Sequence, residues 1–188
     1  MTIVAQKIVL KEDKIMEKWS TLIQNAQGRS SEVIEKTARV LEESGVPGVK
    51  AEMARVFPKV APSFLDSAFL KKLEKQGKDY LMITNENIRS LRLLVGAQDY
   101  GNNLFVSWYL ICEPGVLSKF FNALSGKKPD EVIKWSPVIT NVFMEEELTA
   151  YITLIHHCVL GAVESLMSGA GQDFSRIDRR TKGFMGIS

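Results

Sequence analysis

Apolar positions along the chain change period several times, and each change marks an element. From Lys11 to Ile23 the residues Ile15, Trp19, Leu22 and Ile23 recur at helical spacing among Lys and Glu, and Asn25-Ala26-Gln27-Gly28 closes that stretch. Ser31 is placed to cap a second helix with Glu32 in its first turn. Val33, Ile34, Thr37, Ala38 and Leu41 line one face of it, and Gly45 with Pro47 stops it. The pattern predicts an N-terminal helical hairpin over roughly the first 45 residues. Ahead of it, Thr2–Leu10 fits a strand or a helix equally well.

Alternation with a period of two then takes over. Val49, Ala51 and Met53 alternate with Lys50, Glu52 and Ala54, which predicts a half-buried strand over 49–57. Ser63-x-x-Asp66 resembles a capping box, followed by an apolar stripe to Gly77, so a helix is expected there. Three further strands are predicted at 79–84, 88–97 and 103–112. The Asn85-Glu86-Asn87 cluster separates the first two, and Asp99-Tyr100-Gly101-Asn102-Asn103 is a hairpin signal between the last two. Leu104, Val106, Trp108, Leu110 and Cys112 share one face of the last strand, with Phe105, Tyr109 and Ile111 on the other. Apolar side chains on both faces predict a central strand covered on both sides.

Beyond Glu113-Pro114-Gly115, short helices are expected over 116–124 and 129–135, with Pro129 suited to a first turn. The longest helix is predicted from about Asn141 to Ser168, with Glu145, Glu146 and Glu147 near its positive end and Gly169-Ala170-Gly171 as its stop. Together these elements read as α+β: an antiparallel sheet of about four strands packed by the N-terminal hairpin and the long C-terminal helix. Residues 1–171 form a single domain in this reading, and 172–188 a basic tail with freedom to move or dock.

Composition adjusts this picture modestly. With 188 residues and 45% hydrophobic content, the chain can bury a core without disulfide or metal staples. A net charge of +2 gives no general case for nucleic acid or membrane binding. Its distribution says more: residues 1–94 hold 16 basic and 12 acidic residues, and only Asp99, Glu113 and Lys119 are charged between Val95 and Gly126. That charge-poor block predicts the interior. Cys112 and Cys158 each sit in an apolar run, as reduced core thiols would. The start lacks a secretory layout, and the charge-free run Leu148–Val163 is 16 residues, short of the roughly 20 a membrane span needs. A cytoplasmic location without a transmembrane segment is the expectation.

Candidate chemistry concentrates on the long helix. Glu146, Thr149, Thr153, His157 and Glu164 fall along one stripe, opposite Ile152, Ile155, Val159, Val163 and Leu166. A carboxylate near an imidazole could serve as a base or ligand. However, no Glu-x-x-His, His-Glu-x-x-His, Cys-x-x-Cys, Gly-x-Ser-x-Gly or phosphate loop is present. No catalytic residue, metal ligand or cofactor is therefore assigned, and whether the chain is an enzyme is left open. Lys71, Lys72, Lys75 and Lys78, with Arg89 and Arg92, could contact phosphates, but Asp66, Glu74 and Asp79 dilute them, so nucleic acid is not favoured as a partner.

The leading expectation is a non-catalytic domain acting through protein association, by self-association or as an assembly component. Its contact surface is expected around Tyr151 and His157, with Arg179, Arg180, Phe184 and Met185 of the tail. The alternative is a small-ligand site or enzyme between the sheet and the long helix, with Glu146, His157 and Glu164 as polar groups and Trp108 or Tyr109 as a wall.

Overall fold

In a computed structural model, which describes residues 6–59, 76–112 and 142–183, the chain is α+β. Strands β1 (Gln6–Leu10), β2 (Ile15–Ile23), β3 (Val49–Pro58), β4 (Lys78–Asn85), β5 (Leu91–Tyr100), β6 (Asn103–Cys112) and the two-residue β7 (Lys182–Gly183) form one sheet. Their order is β1-β3-β4-β5-β6-β2-β7, curled into a half-barrel. β1 runs parallel to β3 and every other pairing is antiparallel, so the sheet is mixed. Helices α1 (Ser30–Glu43) and α2 (Val142–Gly169) pack on one face.

Two expectations are corrected. The sheet is larger than four antiparallel strands, because Gln6–Leu10 forms β1, parallel to β3, and β2 and β7 join its other side. The first half of the expected helical hairpin is β2, a strand. Ile15, Trp19 and Ile23 lie four residues apart, and four is both a multiple of the strand period and close to one helical turn. Tertiary context breaks the tie. β5 pairs with one edge of β6, and the backbone groups of its other edge, buried in the middle of the sheet, are satisfied by β2 from Ile15↔Ile111 to Ile23↔Leu104. A bulge between Ile15 and Glu17 turns Glu17, Trp19 and Ile23 toward the helices.

The remaining elements follow the sequence closely. β5 and β6 meet at Tyr100↔Asn103 around a two-residue turn, with Gly101 at a φ of 60°. The expected 88–97 strand begins three residues later, at Leu91, because Ile88 caps a turn whose amide bonds back to Asn85. α1 starts one residue before the expected cap, and its N-cap Arg29 pairs with Glu32 at 2.8 Å instead of a serine closing the turn. The helices expected over 116–124 and 129–135 lie outside the described residues, as does all but the end of the one over 63–77.

Both faces of the sheet are buried. On the helical face Leu81, Ile83, Leu93, Val95, Val106 and Trp108 meet Ile152, Ile155, Val159 and Val163 of α2. A second cluster on the opposite face contains Ile8, Val56, Tyr80, Met82, Leu94 and Ile111. There the Tyr80 ring covers Gly96, and burial beside Tyr109 pushes its phenol up to about 12. By length and composition, Glu145–Gly169 of α2 could cross a membrane, but 61% of its apolar window is buried inside the protein. Burial of this extent is what a core helix shows.

Candidate functional site

α2 has two working sides. The inner side starts from Leu148, Ile152, Ile155, Val159 and Val163, which drive it onto the sheet, and His156 falls among them. Directly below are Trp19 and Trp108, paired across β2 and β6 and both facing the helix. Their indoles meet His156 edge-on, with ring centroids 5.6 and 5.7 Å away.

Hydrogen bonding fixes the state of this imidazole. Trp108 Nε1–H can only donate, and it lies 3.1 Å from His156 Nδ1, so Nδ1 is the acceptor. The proton is therefore on Nε2, which donates to the Arg179 carbonyl at 2.7 Å. Burial pushes the His156 pKa down, opposed by the Arg179 bond, and His157 lowers it further while Glu17 raises it. A neutral ring with both nitrogens engaged has no lone pair left for a base or a metal.

The segment after α2 closes this cluster from outside. Trp19 Nε1–H donates to the Asp178 carbonyl at 2.7 Å, and the Thr181 hydroxyl donates to the Glu17 carboxylate, which is 0% exposed. Gln172 Nε2–H reaches the Gln24 carbonyl at 2.6 Å, and β7 pairs with β2 at Lys18↔Lys182 and Glu17↔Gly183. Residues expected to form a tail thus run antiparallel along the free edge of β2. Arg179 stacks its guanidinium 4.8 Å over Phe174, while Arg180 is exposed with its amide on Asp178.

The outer side of α2 holds an open depression of about 590 Å³, lined by Glu145, Glu146, Thr149, Ala150, Thr153, Leu154 and His157. Phe143, one and two turns before these residues, is 81% exposed.

These positions sort the expected site residues. Glu146 and His157 share the outer depression, and Glu164 is exposed two turns further along. Trp108 lies on the inner side and Tyr109 on the opposite face of the sheet, so they cannot line one site with those three. Tyr151 is not a surface contact: it is buried, its hydroxyl donates to the Ile83 carbonyl at 3.0 Å, and burial raises its pKa. Phe184, Met185, Lys71, Lys72 and Lys75 lie outside the described residues. Arg89 bonds the Glu86 carbonyl in a turn, and Arg92 contacts Met82 on the far sheet face, so the two do not continue one basic surface.

His156, Trp19 and Glu17 were not among the expected site residues. The spacing 152–156–159–163 puts His156 on the apolar stripe and could have found it. Glu17 had no comparable signal, because its burial depends on β2 being a strand. Among the described residues, no group of three or more His, Cys, Asp or Glu could hold a metal ion. No family model, curated protein or solved structure matches the chain.

Proposed function

We propose that the protein works by self-association through the outer side of α2. The observation that carries this reading is the self-complementary order of six of the seven residues that line the depression. Two copies of α2 packed antiparallel about its centre set Ala150 against Thr153, Thr149 against Leu154, and Glu146 against His157. Small residues at the middle allow close helix approach, and a carboxylate meets an imidazole at each end. Phe143 extends the apolar surface beyond the Glu146 end. A two-fold interface requires this match of one patch with itself.

The test is a charge exchange read by light scattering on the full chain. Glu146→Lys sets a cation against His157 of the other copy and should weaken association at least about tenfold. Combining it with His157→Glu sets a carboxylate against the new cation and should recover assembly. Equal masses for wild type, single and double variants would remove the α2 interface from consideration.

A further inference from the structure

Along the edge of β2 lies a trench whose floor groups hold the chain's own C-terminal segment. Trp19, His156 and Glu17 each come from the body of the fold, each is buried, and each is hydrogen-bonded to that segment. The first two read successive backbone carbonyls, at Asp178 and Arg179. Glu17 reads a side chain, the Thr181 hydroxyl. Strand pairing at Lys182 and Gly183 completes a recognition mode that combines main-chain bonds with one side-chain pocket.

The occupant is lightly held. Between Gln172 and Lys182 only Thr181 is buried, while Phe174 and Ile177 are half-buried against the main core. The segment leaves α2 through Gly169, Ala170 and Gly171, all exposed, with Gly171 at a φ of 67°. Segments with few buried contacts open at the low end of a protein's stability range. We propose that this strap exchanges between copies, so that the trench of one chain takes Gln172–Gly183 of another. Every contact in the trench is kept in the exchanged state, which makes a second copy's strap the occupant that costs least. The inference does not depend on the α2 interface proposed above.

The test uses a fluorescently labelled synthetic peptide of residues 172–188, read by anisotropy against the full chain. Thr181→Ala in the chain unlatches its own strap, so this chain should bind the wild-type peptide at least about tenfold more tightly than the wild-type chain does. A peptide carrying Thr181→Ala should bind it at least about tenfold more weakly. No binding to the Thr181→Ala chain, or equal binding by a scrambled peptide, overturns the proposal. Amide hydrogen exchange on the unaltered chain gives a second reading should that variant fail to fold. Strap amides should exchange well before those of β5 and β6, and equal protection overturns the proposal. Repeating the titration on a chain carrying Glu146→Lys should change nothing, which separates failure here from failure of the α2 interface.

Discussion

His156 and His157 are neighbours in sequence, yet one is sealed between two indoles and the other faces outward. The buried ring makes stability depend on pH in a definite direction. Burial holds the folded-state pKa of His156 below its ordinary value, whereas the unfolded chain takes up the proton near about 6.5. As pH falls through about 6.5 the unfolded state binds more protons than the folded one, so stability drops; above that pH the contribution is fully present. Urea unfolding at about pH 7 and 5.5 should show this loss. His156→Gln, able to accept from Trp108 and donate to Arg179, should flatten it. Thr37 poses the opposite case: its buried hydroxyl in α1 has no hydrogen-bond partner among the described residues. Thr37→Val keeps the shape and removes that polar atom, and should raise stability by about 1 kcal/mol. At this scale the sequence exposed one histidine of the pair. His157 stands out on a polar stripe, while His156 looks like an interruption of an apolar one until the two tryptophans beneath it are known.

At the scale of elements, periodicity made α2, β3, β5 and β6 legible, and β4 showed as a short apolar run closed by turn residues. β2 was misread because spacings of four serve both periods, and only its pairing with β6 decides. β1 is five residues long, and its partner β3 lies more than forty residues away in sequence, a contact no local pattern announces. Close packing between elements also sets what can be substituted. A methyl group on Gly96 would lie 2.4 Å from Tyr80 Cε1, and the Tyr80 hydroxyl is tied to Gln98 at 3.4 Å. Gly96→Ala should therefore cost about 1–3 kcal/mol in chemical denaturation. On a Tyr80→Ala background, where the ring is gone, most of that cost should vanish, a coupling that a double-mutant cycle measures.

For the whole molecule, the C-terminal half closes the core, and both proposed contact surfaces lie on it. α2 buries one side against the sheet and turns Phe143, Ala150, Leu154 and His157 outward, while the strap that follows covers the edge of β2. Covering that edge suppresses open-ended strand pairing. Apolar content of 45% hinted at more surface than one core needs, but which surface was decided by burial: Tyr151 went inside and Phe143 stayed out. The most direct measurement is the mass of the full chain in solution across about one to one hundred micromolar, by sedimentation equilibrium. The expected result is a mass rising from 21.1 kDa toward twice that value, with the rise shifted at least about tenfold higher in concentration by Glu146→Lys and shifted back with His157→Glu. A constant mass of 21.1 kDa over the whole range would contradict self-association through α2.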